Sequence, residues 1–170
     1  MLICCSRLND IQETRTDYSE KLKDGLSLVD SFYITKNTEL LSQAIKQFED
    51  IDEQHFERCY HKQMYINYCK ALMAASINNE NQRDLLYNKN VTIIEDYLRK
   101  STSTDDYAVY ELFFFKSLSS SRLEFIHYAD SIKSTLPLQK IDISIFVETF
   151  YPTEDNIQKS TTSNYTKIQQ

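Results

Sequence analysis

The sequence predicts an all-α protein, organised as an α-solenoid of antiparallel helical hairpins that resemble degenerate tetratricopeptide repeats. One Gly and two Pro occur in 170 residues, whereas β folds and phosphate-binding loops rely on Gly for turns and close backbone approach. Apolar residues recur every three or four positions, as in amphipathic helices. Short polar corners separate these segments, and each hairpin would leave an apolar face that only another hairpin can cover.

Charge and composition narrow the possible partners. The formal charge is −6, the pI is about 5.1, and no long basic run occurs, so the electrostatic pattern of a nucleic-acid binder is missing. No apolar run approaches the ~20 residues of a membrane span. Cys59 and Cys69 fall among apolar helical positions and are expected to be reduced core thiols. These features predict a cytoplasmic protein that contacts neither nucleic acid nor membrane.

Two helices are predicted in the first third of the chain. Residues 1–16 are weakly periodic and are interpreted as a linker or the remnant of a helix. A helix from residue 18 to about 37 follows from the spacing of five apolar residues, Leu22, Leu26, Val29, Phe32 and Tyr33. Thr38 is the expected N-cap of a second helix that reaches Phe48.

The middle of the chain predicts a long buried helix and its partner. Residues 53–76 carry two apolar stripes, which indicates a helix with neighbours on both sides. A fourth helix ends at Lys100. Its start is left open because the polar run 88–90 could interrupt it.

Two further helices are predicted over residues 105–117 and after the corner 119–121. The six helices pair as hairpins over residues 17–50, 53–100 and 105–134. Between residues 138 and 151, alternating Ile141, Ile143 and Ile145 fit a strand, but a helix is preferred because no other strand is available. The helical-repeat domain is placed at residues 17–151. Residues 152–170 have few apolar residues and predict a disordered polar tail.

No constellation of an acid, a base and a nucleophile rises above background, so an enzyme is not predicted. His55 and His61 are six residues apart, which is a poor spacing for one helix face, and no Cys completes a tetrahedral set of ligands. No metal and no cofactor are therefore expected.

One polar strip interrupts the apolar faces of the predicted third helix. It consists of Gln63, Asn67 and Lys70, and its simplest interpretation is a solvated helix face. The functional interpretation is a lining for an extended peptide, because side-chain amides can bond both the N–H and the C=O of a backbone. Tyr65 and Tyr68 would add apolar walls with polar tips. These five residues are the predicted peptide-binding site.

Two short motifs resemble the Rgg (GadR/MutR) family of bacterial transcriptional regulators. The run Asp96-Tyr97-Leu98 is similar to the D-Y-L helix end of that family, and the segment 107–112 is similar to its W-G-x-Y-E-L motif. Tyr107 stands where the family usually has Trp, and Ala108 where it has Gly. Residues 61–71 add an HxQMYxxYxKA-like pattern. The likeness covers about residues 18–134, and the matched residues are interpreted as structural.

The resemblance implies a helical-repeat domain that dimerises and binds a short signalling peptide, as in quorum sensing, within transcription regulation. The family joins such a domain to a helix-turn-helix domain, for which this sequence has no room before residue 18. The expected function is therefore a regulatory sensor that binds a short peptide, forms a homodimer and does not itself contact DNA. The alternative is a stand-alone helical-repeat scaffold for protein–protein interactions.

Overall fold

The computed structural model describes residues 3–101, 105–133, 135–136 and 142–152, with side chains from residue 18 onward. Within these ranges the chain is helical and contains no strand, which confirms the all-α prediction. The elements are α1 Ile3–Thr35, α2 Thr38–Glu49, a 3-10 turn Glu53–His55, α3 His61–Ser76, α4 Glu80–Lys100, α5 Asp106–Leu118, α6 Arg122–Ile132 and α7 Ile143–Phe150. The solenoid arrangement of the hairpins stays a prediction.

The chain divides into two compact units, Met1–Ile93 and Ile94–Gln170, called unit 1 and unit 2 below. The division falls within α4 and inside the predicted repeat domain of residues 17–151, whose boundaries as a domain stay a prediction. The predicted disordered tail lies, from residue 153 onward, outside the described residues.

α1 is longer than the sequence predicts, because it already begins at Ile3 and runs through the weakly periodic residues to Thr35. No Gly or Pro interrupts the chain before Gly25, so no residue there breaks the backbone ladder. The helix ends where Lys36 adopts a positive φ of 59° and its N–H bonds to a carbonyl of the last turn. Asn37, and not Thr38 as predicted, caps α2 by accepting a hydrogen bond from the Glu39 N–H at 3.0 Å.

The only glycine of the chain lies where the α1 backbone is in close contact with a side chain of α2. A Cβ added at Gly25 would lie 2.5 Å from the ring of Phe48, and that ring is fully buried. The lack of a side chain at Gly25 therefore lets Phe48 sit directly against the α1 backbone. Around this contact, unit 1 packs a core from α1, α2 and α3, formed mainly by Val29, Phe32, Leu41, Ala44, Phe48, Ile66, Cys69 and Leu72.

The predicted single helix over residues 53–76 is wrong at its start. Asp52 caps the 3-10 turn by accepting from the Gln54 N–H, and α3 begins only at His61. Cys59 therefore lies outside the helix and is exposed, which corrects its prediction as a core thiol, whereas Cys69 is buried. Burial raises the pKa of the Cys69 thiol to about 12.

The fourth predicted helix is present without the possible interruption, since α4 is continuous from Glu80 to Lys100. Its partner α3 buries residues on several faces, among them Met64, Ile66 and Ala71. This burial agrees with the prediction that α3 has neighbours on more than one side.

Unit 2 is built around aromatic rings from α5, α6 and α7. Phe113 and Phe125 are fully buried and meet edge to face, with ring centroids 5.6 Å apart. Phe146 and Phe150 of α7 pack on the same rings. The helical interpretation of residues 138–151 is thus confirmed over 143–150, while residues 138–141 lie outside the described ranges.

Local polar contacts set the ends of the helices in unit 2. Asp105 caps α5 by accepting from the Ala108 N–H at 3.1 Å. Ser121 and Glu124 form a reciprocal capping box at the start of α6. None of the helices in the described ranges is long and apolar enough to cross a membrane.

Candidate functional site

Three side-chain amides form a hydrogen-bonded chain from the surface of unit 1 into its interior. Gln63 Nε2 donates to Asn67 Oδ1 at 2.9 Å, and Asn67 Nδ2 donates to Asn90 Oδ1 at 2.9 Å. Asn90 Nδ2 then donates to the backbone carbonyl of Met64 at 3.1 Å. Asn67 is only 6% exposed and Asn90 is 0% exposed. This amide chain joins α3 to α4 across two buried polar residues.

The direction of the amide chain follows from its inner end. A backbone carbonyl can only accept, so Asn90 must turn its NH₂ group toward Met64 and its oxygen toward Asn67. The same reasoning orients Asn67 and then Gln63. The outer end is therefore the amide of Gln63, an exposed residue whose NH₂ group is directed to Asn67. Its carbonyl oxygen remains to accept a hydrogen bond from a molecule at the surface.

An open groove of about 480 Å³ lies between α3 and α4 at this outer end. Its lining combines amides, a hydroxyl, one ammonium group and two aliphatic side chains. The lining residues, called the α3–α4 groove below, are Gln63, Asn67, Leu85, Asn88, Lys89, Thr92 and Ile93. A surface that combines hydrogen-bonding groups with apolar walls can hold a polypeptide backbone together with its side chains.

The structure brings only part of the predicted peptide-binding set into this groove. Gln63 and Asn67 line it, while Lys70 is exposed on α3 but is not part of the lining. Tyr65 packs in the opposite direction, with its ring stacked on Phe48 at 5.2 Å between centroids. Tyr65 thus contributes to the core shared with α2.

Tyr68 belongs to a third environment, in which its hydroxyl is hydrogen-bonded to the hydroxyl of Tyr33 on α1. Its ring also packs near Tyr87 of α4, with centroids 6.4 Å apart. Burial and then the hydrogen bond to Tyr33 raise the pKa of Tyr68. The phenol therefore stays neutral and connects α1, α3 and α4 within unit 1.

The α4 side of the groove was not predicted from the sequence. The run 88–90 was interpreted as a possible helix interruption, whereas it supplies Asn88 and Lys89 to the lining and Asn90 to the amide chain. The sequence contains a feature that could have predicted the role of Asn90, because this residue is four residues after Leu86 and four before Ile94, which are both buried. A polar residue in register with a buried stripe requires a buried partner.

The described polar contacts of unit 2 join side chains within that unit. Tyr128 donates its hydroxyl to Glu95 Oε1 at 2.6 Å, and Arg99 bonds to the other oxygen of that carboxylate at 2.7 Å. Burial, followed by the hydrogen bond to Glu95, raises the pKa of Tyr128. Tyr97, from the D-Y-L motif, donates to Asp105 at 3.0 Å. Because Asp105 caps α5, Tyr97 ties the end of α4 to the start of the next helix.

Within the described part of the chain, no cluster of three or more His, Cys, Asp or Glu side chains is placed to hold a metal ion. Comparisons with protein-family models, with curated proteins and with solved structures found no match to this chain. The functional proposal therefore depends on the geometry of the α3–α4 groove and on the sequence motifs.

Proposed function

We propose that this chain is the peptide-sensing and dimerising part of a regulator of the Rgg type, and that it binds a short extended peptide in the α3–α4 groove. The observation that supports the proposal is the groove itself, where the Gln63 amide and the aliphatic side chains of Leu85 and Ile93 face one open space. An extended peptide offers unpaired N–H and C=O groups along its edge, and these match side-chain amides.

The amide chain also fixes the orientation of the Gln63 amide at the surface of the groove. Gln63 is held by Asn67, which is held by Asn90, which is held by the α3 backbone. A surface amide with a fixed orientation loses less conformational entropy on binding than a freely rotating one. The groove is therefore preorganised on its α3 side.

A dimer is part of the proposal, and α7 supports it. Five of the eight residues of α7 are apolar, yet none is fully buried, and Ile145 is 60% exposed. Exposed apolar surface of this kind marks a site of contact with another protein, which we propose to be a second copy of this chain. Analytical ultracentrifugation of the wild type and of Ile145→Asp tests this part, since the proposal expects a dimer only for the wild type.

The main experiment selects heptapeptides from a random displayed library and measures their effect on the melting temperature. A ligand that binds only the folded state stabilises it by RT ln(1 + [L]/Kd), about 2.7 kcal/mol at a hundredfold excess over Kd. Leu85→Glu places a charge on the groove wall and should abolish this stabilisation. The matched control is Leu26→Glu on α1, because Leu26 is also an exposed leucine and lies outside the groove.

Two results would contradict the proposal. The first is a library that yields no stabilising peptide, which would favour the alternative of a scaffold that binds folded proteins. The second is a selected peptide that binds Leu85→Glu and the wild type equally well. The sequence-based site is tested in parallel by Lys70→Ala, which reduces affinity only if the peptide extends beyond the α3–α4 groove.

A further inference from the structure

The α4 wall of the groove presents three side chains at a regular interval. Leu85, Lys89 and Ile93 are four residues apart, and all three line the same open space. An α-helix rises about 1.5 Å per residue, so consecutive members are separated by about 6 Å along the axis. The α4 wall therefore presents an apolar, a cationic and an apolar side chain in succession over about 12 Å.

This interval matches that of an extended chain. Successive residues of an extended backbone rise about 3.3 Å, and every second side chain points to the same side, so equivalent side chains are about 6.6 Å apart. A peptide lying along α4 would thus place residues i, i+2 and i+4 against Leu85, Lys89 and Ile93. The two apolar positions are open to a ligand, since Leu85 is 49% exposed and Ile93 is partly exposed.

The charge of Lys89 indicates which kind of peptide side chain fits the middle position of the groove. Lys89 is the only ionisable side chain in the groove lining, and it makes no ion pair within the described part of the chain. Although the whole chain is acidic, screening limits the influence of distant charges to about 8 Å at physiological ionic strength. As the one charged group of the groove lining, Lys89 therefore favours an anionic group at the centre of the groove.

We infer that the groove selects peptides with the pattern apolar–x–acidic–x–apolar, the acidic side chain facing Lys89 and backbone N–H groups facing the oxygen of Gln63. This inference rests on the proposed peptide-binding function and adds the chemical class of the ligand. The two apolar side chains supply most of the contact area, and the charge pair sets the register of the peptide in the groove.

The test uses two blocked pentapeptides, acetyl-Leu-Ser-Glu-Ser-Leu-amide and its counterpart with Lys in place of Glu. Dissociation constants are measured by NMR titration on the wild type, on Lys89→Glu and on Lys23→Glu. Lys23 is an exposed lysine of α1 outside the groove and serves as the matched charge control. An exposed ion pair is worth about 0.2–1 kcal/mol, so the wild type and Lys23→Glu should prefer the acidic peptide by about 1.4- to 5-fold.

In Lys89→Glu the preference should be inverted, with shift changes still centred on Leu85 and Ile93. Equal affinities of the wild type for both peptides, or an unchanged preference in Lys89→Glu, would overturn the inference. The library selection separates this failure from that of the proposed function. Selected heptapeptides that require Leu85 but lack a central acidic residue leave peptide binding intact and refute only the pattern, whereas a library without any binder refutes both.

Discussion

The interiors of the two units of this chain differ in the types of side chain that they bury. Among the described residues, three of the four buried polar side chains, His61, Asn67 and Asn90, belong to unit 1, while unit 2 buries only Glu111. Unit 2 instead packs aromatic rings against one another, with Phe113 and Phe125 at their centre. A buried amide must be satisfied by a specific partner, whereas a ring tolerates many neighbours. The unit with the buried amide chain also contains the polar α3–α4 groove.

The largest expected effect comes from the aromatic interior. Phe125→Ala should lower the free energy of unfolding of unit 2 by about 3–5 kcal/mol, because it removes a fully buried ring and leaves a cavity. Leu123→Ala, at an exposed position of α6, is the control and should change it by less than about 0.5 kcal/mol. Chemical denaturation followed by circular dichroism measures both. Similar small losses in the two variants would show that the rings of unit 2 are not closely packed.

The next effect tests the amide chain of unit 1. Asn90→Leu leaves the buried Asn67 NH₂ group without its acceptor, at a cost of about 1–3 kcal/mol. Replacing both residues, as Asn67→Leu with Asn90→Leu, removes donor and acceptor together and should cost less than the sum of the two single changes. Additive losses in this double-mutant cycle would mean that the two amides do not interact in solution.

Gly25→Ala tests how tightly α1 and α2 meet. Alanine gains about 0.5–1 kcal/mol in a helix interior, but its Cβ would collide with the ring of Phe48, and overpacking costs about 1–3 kcal/mol. A net loss in thermal stability is expected. In a Phe48→Leu background the collision is relieved, so the same substitution should become stabilising. A stabilising effect of Gly25→Ala in the wild-type background would contradict the close approach.

The smallest expected effect is at the start of α6. Ser121→Ala removes one half of the capping box and should cost about 1 kcal/mol. Hydrogen bonds from Ser121 lower the pKa of Glu124. The ionised Glu124 carboxylate therefore stabilises the folded state at pH values above the pKa that it has in the unfolded chain. This contribution is lost as the pH falls through the lowered pKa of the folded state. Chemical denaturation at neutral and acidic pH measures the free energy of unfolding of the wild type and of Ser121→Ala. The difference between the two should be smaller at acidic pH.

The helical elements were largely predictable because helical periodicity is a local property. The end of α4 at Lys100, the start of α5 after Asp105 and the corner before α6 follow from apolar spacing and capping residues. The start of α3 was not predictable in this way, since the apolar pattern continues through residues 56–60 although the backbone there is not α-helical. Phe56 and Tyr60 are buried without being α-helical. Buried residues of an irregular segment can therefore show the same spacing as the apolar face of a helix.

The candidate site was predictable only in part. Gln63 and Asn67 were selected as an amide strip on one helix, and both line the groove. Tyr65 and Tyr68 lie within five residues of them, but the helix turns about 100° per residue and directs these rings toward α2 and α1. Local spacing identifies residues on one face but does not reveal which neighbouring helix covers that face.

The sequence alone determined that this protein is helical, where most of its polar corners lie, and that α3 has neighbours on more than one side. These properties depend on the backbone and on side chains a few positions apart. Only the tertiary structure decided that Asn67 pairs with Asn90, 23 residues away, and that α3 and α4 leave an open groove beside that pair. The reason is physical, because the rotation of one helix against another follows from the packing of all their side chains together.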